Sequence, residues 1–439
     1  MGKEDKQSKK RKLSATDKHQ SEDDRTPKRR SSQAVKAPEA DETHKENINE
    51  LDTSRPTAVF QPKKGRDWTL SLAIPGSFLL NTKMFEQKND LAARIARAAA
   101  VFCVDEIVIF DDAPTTFTAK QLEYRKGKMA KSSKSDLLAS LPPENDAYTH
   151  PDRFLEHIVS FLECPGHLRQ HIFPMHPNLS KAATLPTLDL PHHMKAHEWC
   201  QYREAVALDP TDIQLPEPTP KHKRKSQSPT TWLDCGFPHP VKVDVEIPPY
   251  MRTTLKFSSV SPPPNWPHLN AKQTAELVVE PVSDSAPRQE AGYYWGYTTR
   301  RAESISDVFT ESPFADGYDY SIGTSERGVS IFDILPRNIP SHSSGHHKDA
   351  GGIDKLPAKF KHLIVFFGGV TGLEPAVAAD PRLGWSTENK EGLTKESAHQ
   401  AFDAWVNVLP GQGSRTIRLE EAVFIGLMAL REYVVAQDA

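Results

Sequence analysis

A short apolar segment, Ala404 to Leu409, runs into the turn Pro410-Gly-Gln-Gly413 and then into an apolar helix predicted from about Thr416 to Val434. Strand, glycine turn and helix in that order form a building block of parallel α/β sheets, and this junction constrains the fold more than any other feature. Glycines there let the backbone pass close to a ligand. The first N–H groups of the helix lack partners within it and can point at that ligand. The junction is therefore a candidate cofactor cradle, with a plain tight turn as the alternative. It is not a P-loop, because Ser414 and Arg415 follow Gly413 where Lys and Ser/Thr are required, and no complete G-x-G-x-x-G dinucleotide fingerprint accompanies it.

Two further segments repeat the pattern. Leu363-Ile-Val-Phe-Phe-Gly-Gly-Val-Thr-Gly-Leu-Glu374 reads as a buried strand ending in three glycines and an acid. Asp319-Tyr-Ser-Ile-Gly-Thr-Ser-Glu-Arg-Gly328 reads as a shorter strand ending in a polar glycine loop. Parallel strands bind ligands at their carboxyl ends, so three such ends in succession predict one site built from three loops.

These three segments resemble the S-adenosylmethionine (SAM) binding loops of the SPOUT, or α/β-knot, RNA methyltransferases. The similarity extends to Ser71-Leu-Ala-Ile-Pro-Gly-Ser77, Ile95–Asp111, Pro191-His-His-Met194, Gly292-Tyr-Tyr-Trp-Gly-Tyr-Thr298 and Pro410–Arg418, spanning roughly residues 68–435. It is strongest to the archaeal and eukaryotic branch, whose animal members are also described as centromere- or spindle-associated. The resemblance implies an α/β fold: a parallel-sheet domain with a trefoil knot, an inserted OB-like β-barrel, and a homodimer packed through the last helix. It implies SAM as cofactor. Ile322, Gly323 and Thr324 would form one wall of its site, Gly368, Gly369, Gly372, Leu373 and Glu374 a second, and Asn407, Leu409, Gly411, Gly413, Ser414, Thr416 and Ile417 the third.

The bulk properties agree with a folded core carrying polar additions. Of 439 residues, 37% are hydrophobic and 36 are proline, and the net charge is −3, so any nucleic-acid surface is a local patch. Cys103, Cys164, Cys200 and Cys235 form no C-x-x-C pair, and no apolar run has transmembrane length, which predicts a reducing intracellular setting and no membrane partner. Residues 1–65 read as a disordered tail. Within it, residues 1–36 carry 12 Lys/Arg against 6 Asp/Glu, clustered at Lys9–Lys12 and Lys28–Arg30, a pattern expected of nuclear import and weak RNA attraction.

The remaining chain divides into 66–180 and 291–439, the two parts of the parallel-sheet domain, around an insertion at 181–290. Trp68–Ile74 and Glu106–Phe110 read as strands flanking a helix that carries Leu91, Ile95, Ala98, Ala99 and Phe102. A helix is expected at Phe154–Cys164. In the insertion, Tyr202–Leu208, Val241–Ile247 and Arg252–Phe257 read as antiparallel strands, with an edge strand near Glu276–Val282. Tyr293–Thr299 returns to the sheet, and Ser304–Phe309 is helical. Lys221–Lys225 is a basic loop that binds RNA, is merely solvated, or serves as a second import signal. Pro191–Met194 lacks further ligands at metal spacing, and no metal site is expected.

Methyl transfer to a nucleobase nitrogen or ribose oxygen needs a nearby base or a deprotonated acceptor. Arg415, Arg327 and Glu326 are the candidate catalytic residues, with Glu374 as a possible base; an arginine there would hold a phosphate or lower the acceptor's pKa. Arg94, Arg97, Arg300 and Arg301 are candidate RNA contacts. The leading expectation is a SAM-dependent methyltransferase acting on ribosomal RNA, with uridine N3 as a candidate acceptor, in the nucleus or nucleolus and on pre-ribosomal particles. The alternative is a catalytically silent SPOUT-fold protein: an RNA-binding ribosome-assembly factor, or a spindle- or centromere-associated scaffold.

Overall fold

The computed structural model describes residues 62, 64–112, 146–211, 230–336, 355–384 and 389–438. The basic tail clusters, most of the 115–150 connection, Lys221–Lys225 and Ser341–Gly352 lie outside these residues.

Six strands form one sheet: β1 (Thr69–Pro75), β2 (Glu106–Phe110), β8 (Thr298–Ala302), β9 (Tyr320–Ser330), β10 (His362–Phe366) and β11 (Ala404–Asn407). Their order is β11-β9-β10-β1-β2-β8, and all five pairings are parallel. A parallel sheet is covered on both faces, so its central strands read as unbroken apolar runs. All seven residues of β1 and all five of β10 are buried accordingly. Alternate side chains then feed opposite cores. Leu363 and Val365 pack with Ile95 of α1 (Phe85–Phe102), Ile158 of α2 (Pro151–Glu163) and Val423 of α5 (Leu419–Ala429). Ile364 and Phe366 pack on the other face with Val308 of α3 (Ile305–Thr310) and Val377 of α4 (Glu374–Ala379).

The chain leaves this sheet after β2 and returns at β8. Between them lie five antiparallel strands: β3 (Tyr202–Ala207), β4 (Thr231–Asp234), β5 (Val241–Val243), β6 (Arg252–Phe257) and β7 (Val279–Val282), ordered β5-β4-β3-β6-β7. This second sheet curls so that its outer strands β5 and β7 approach each other without pairing. Ala205, Leu233, Val241, Leu255 and Phe257 fill its interior.

Several boundaries differ from expectation for identifiable reasons. The last long helix starts at Leu419, not Thr416; Thr416 is exposed, and the Glu421 carboxylate accepts from the Arg418 N–H at 3.0 Å instead. It closes at Ala429, and a separate short helix, Arg431–Val435, follows. The Val241–Ile247 alternation carries a ladder only to Val243, because Asp244, Val245 and Glu246 turn out to solvent. Tyr293–Tyr297 approaches the sheet without joining it. Its rings are anchored by Tyr294 Oη donating to Val104 O (2.9 Å) and Tyr297 Oη donating to Val159 O (2.9 Å), and pairing starts at Thr298. β9 is longer than expected and runs through its glycine loop to Ser330.

Candidate functional site

The register brings the carboxyl ends of β9, β10 and β11 together: Gly323 lies opposite Phe366 on one side and Trp405 on the other. The β9–β11 register then jumps, since Val406 pairs with Val329. Thr324–Gly328 therefore leaves the ladder as a bulge, a feature that commonly re-aims side chains beside functional sites. This bulge joins all three predicted loops. Thr324 Oγ1 donates to Phe366 O (2.8 Å), Ser325 Oγ donates to Glu374 Oε1 (3.2 Å), and Asn407 Nδ2 donates to Glu326 O (3.0 Å). A guanidinium nitrogen of Arg327 stands 3.7 Å from Glu374 Oε1.

Glycine is required here at specific points. Gly372 has φ +84°, and a Cβ there would collide with the Glu374 carboxylate; Gly411 has φ +76°. A Cβ on Gly323 would stand 2.6 Å from the Trp405 ring, so glycine lets β11 pack against β9. At Gly368 it would strike the backbone of Gly372, which fixes the tight turn between the two glycines. At Gly411 and Gly413 a Cβ would meet no protein atom, so the last loop is open on that side.

The apolar members line the same edge. Ile322 and Leu373 are fully buried, while Leu409 and Ile417 are half-buried. Ser414, Arg415 and Thr416 are exposed on the loop leading to α5, as are Glu326 and Arg327 on the bulge. Thus Glu326, Arg327, Glu374 and Asn407 are tied into one cluster, while Arg415 reaches the edge only through its loop.

The four other arginines are placed differently. Arg300 is committed to the sheet: Nε donates to Glu106 Oε1 (2.9 Å), and another guanidinium nitrogen donates to Val308 O (2.7 Å) and Tyr318 Oη (3.0 Å). Arg301 pairs with Glu156 at 2.7 Å, Arg94 with Asp90 at 3.1 Å, and Arg97 donates to Leu188 O at 2.6 Å. His192 and His193 both point their Nε2 at Glu163 O, at 3.1 and 2.5 Å. Burial pushes His193 down to about 3, so it is neutral at ordinary pH and packs in the interior. Among the described residues, no group of three or more His, Cys, Asp or Glu side chains is arranged to hold a metal.

One feature of this edge escaped sequence reasoning. Asp112, two residues past β2, accepts from Ser77 Oγ at 2.7 Å and lies 2.9 Å from where a Cβ on Gly369 would stand. The signal was an acidic pair placed directly after a buried parallel strand. A cleft of about 1190 Å³ lies elsewhere, at the amino ends of the strands and against the second sheet, lined by Asp105, Glu106, Arg252, Trp295 and His362. Ligand sites of parallel sheets form at the carboxyl ends, so size alone does not make that cleft the site.

A family model described as "Putative RNA methyltransferase" matches residues 69–430. The chain belongs to that family. This RNA methyltransferase is 36% identical over 385 residues to a 28S rRNA (uridine-N(3))-methyltransferase of Homo sapiens, covering 87% of this chain and 83% of the relative. It is 37% identical over 369 residues to the Mus musculus protein of the same name, covering 84% and 77%. An uncharacterized protein of Halobacterium salinarum, 23% identical, is covered over 98% of its length by 82% of this chain. As a methyltransferase the protein requires a methyl donor.

Proposed function

We propose that this RNA methyltransferase transfers a methyl group from SAM to N3 of a uridine in large-subunit ribosomal RNA. The observation that carries the reading is the Thr324–Gly328 bulge, which ties three glycine-bearing strand ends into one edge. The 36–37% identical relatives named for this reaction supply the acceptor.

The residues present fit SAM. Open backbone at Gly411 and Gly413, a left-handed Gly372 and apolar Ile322, Leu373, Leu409 and Ile417 make a cradle suited to an adenosine and its methionine arm. When bound, SAM supplies an activated methyl group on a sulfonium; the protein's part is binding, orientation and exclusion of water. Gly368–Leu373 and Asn407–Ile417 would hold the cofactor by backbone groups. Exposed Arg327 and Arg415 would hold RNA phosphate at the rim or favour a deprotonated acceptor.

The finer architecture belongs to the same reading. α5 packs on Phe367, where a Cβ on Gly426 would come within 2.7 Å of the ring, as a C-terminal segment drawn through the preceding loop in a trefoil knot would. Met428 of that helix remains 64% exposed, which suits a homodimer interface. The curled second sheet suits an OB-like RNA-binding barrel. The basic clusters of residues 1–36 suit nuclear, and nucleolar, delivery to pre-ribosomal particles; deleting them should reduce nuclear accumulation in imaged cells.

Purified protein incubated with tritium-labelled SAM and unmodified ribosomal RNA should label the large rRNA. Nuclease digestion should place the label in 3-methyluridine. SAM binding without label on either naked RNA or pre-ribosomal particles would favour the silent assembly-factor reading.

A further inference from the structure

We infer that Asp112 is the proton acceptor for the uridine N3–H during methyl transfer. The inference rests on the three-loop reading of the site and adds to it a residue from a fourth strand end. β1 and β2 pair so that Pro75 lies opposite Phe110, which places Ser77 and Asp112 side by side at the carboxyl edge. β1 also pairs with β10, Ala73 opposite Phe366, so the Gly368–Gly369 turn emerges next to both. The result is the 2.9 Å approach of Asp112 Oδ2 to the Cβ position of Gly369. A Cβ at 369 would press on this carboxylate and displace it from the turn.

The other carboxylates of the site are less suited to the task. Glu374 already accepts from Ser325 and is faced by Arg327, so its oxygens are engaged within the bulge. Glu326 is exposed at the rim. Among the described residues Asp112 receives one side-chain hydrogen bond, from Ser77, and a carboxylate has about four acceptor positions. Burial raises its pKa, partly offset by the Ser77 hydroxyl and a backbone hydrogen bond. The charged neighbours at this corner are Asp111, Asp152 and Arg301: burial, then Asp111 and Asp112, raise Asp152 to about 7, while Arg301 opposes. A carboxylate with raised basicity is better matched to abstracting a weakly acidic proton near neutral pH.

The balance is complete. The N3–H bond breaks and its proton passes to an Asp112 oxygen. The N3 electron pair forms the new bond to the methyl carbon, and the methyl–sulfur bond's electrons return to sulfur, leaving a neutral thioether. Asp112 ends protonated and is recharged by solvent.

The test combines cofactor affinity with single-turnover rates on an unmodified large-subunit rRNA transcript. Asp112→Asn keeps the shape and an acceptor for Ser77. It should leave the SAM dissociation constant, measured by calorimetry, within about twofold, yet slow transfer by about 10²–10⁴-fold. In the unaltered protein, the rate should climb about tenfold per pH unit at low pH and level off once the carboxyl is ionised. A rate that keeps rising towards uridine's own titration would show that solvent takes the proton and overturn the inference, whatever the variant does. Unchanged turnover in Asp112→Asn overturns it also, as does loss of SAM affinity at unchanged melting temperature, which would make Asp112 a cofactor ligand. Failure of the three-loop reading itself looks different: Gly372→Val would bind SAM normally.

Discussion

The side-chain amide of Asn407 donates to the backbone carbonyl of Glu326 at 3.0 Å, and its own Oδ1 accepts from the Leu409 N–H at 3.0 Å. One residue at the end of β11 thereby fixes both the bulge of β9 and the start of the last glycine loop. Asn407→Ala should release both. A net loss of about 1 kcal/mol per hydrogen bond is expected in stability. SAM affinity should fall more than Tm, because the loops, not the core, lose their restraint; calorimetry and a thermal melt on the same sample check this.

Gly372 couples a left-handed backbone to contact with Glu374. Gly372→Val meets a backbone cost of about 1–3 kcal/mol together with a steric clash. The expected outcome is a folded protein of lower Tm with no measurable SAM binding. A variant retaining unaltered affinity would place the cofactor elsewhere.

Glu163, 7% exposed, and Glu204, 2% exposed, share Arg252, at 2.6 Å in each case. Burial opposes the charge on Glu163, but Arg252 and His192 more than compensate and hold its pKa well below the usual carboxylate range. Arg252→Met should cost about 3–5 kcal/mol by stranding two buried carboxylates. A depressed folded pKa gives stability that is present above the unfolded value, near 4, and is lost as pH falls through the folded one. The protein should therefore lose stability on acidification from about pH 4 downward, and Arg252→Met should already be weak at neutral pH, as denaturant titrations at several pH values would show.

Asp152 behaves oppositely. Its folded pKa, about 7, lies above the unfolded value, so the folded state binds the extra proton between roughly pH 4 and 7 and stability declines as pH rises through that window. Asp152→Asn removes the penalty while keeping an acceptor for Gly76. It should raise stability by about 1–3 kcal/mol at pH 8 and leave it nearly unchanged at pH 4.

Arg300 distinguishes a surface contact from an internal brace. It shares Glu106 with Ser71 and Tyr318, whose hydroxyls donate to the other carboxylate oxygen at 2.7 Å each. Arg300→Ala should lower Tm by several degrees by unpairing Glu106, which is 2% exposed. Arg415→Ala should leave Tm unchanged and reduce methyl transfer. Equal melting temperatures for the two variants would argue against the brace.

The central strands of the six-stranded sheet were legible because they are local patterns: Leu70 to Ile74, Ile107 to Phe110 and Leu363 to Phe366 are largely apolar runs of the kind a parallel sheet buries on both faces. The three glycine loops were legible for the same reason, each lying within a few residues of its strand. Helix α2 fell where expected, with Pro151 at its first turn, and Ser304 caps α3 by accepting from the Asp307 N–H. The beginning of α5 differs from the expected Thr416 because Thr is a cap by type, while only the path of the loop decides which residue stands at the helix end.

By itself the sequence determined the central strands, the main helices that cover them and the glycines that interrupt them, because burial periodicity and backbone permissiveness act over a few residues; it missed Thr231–Asp234 and misplaced the strand at Thr298–Ala302. The tertiary structure alone decided which strand ends meet. Strand order β11-β9-β10-β1-β2-β8 places Asp112, Ser77 and Gly369 side by side although 292 positions separate Ser77 from Gly369, 369 minus 77. It also turned Arg300 inward and pushed Thr324–Gly328 out of the ladder. Such choices depend on sheet register and on the pairing of buried charges, which are long-range free energies that no local pattern encodes.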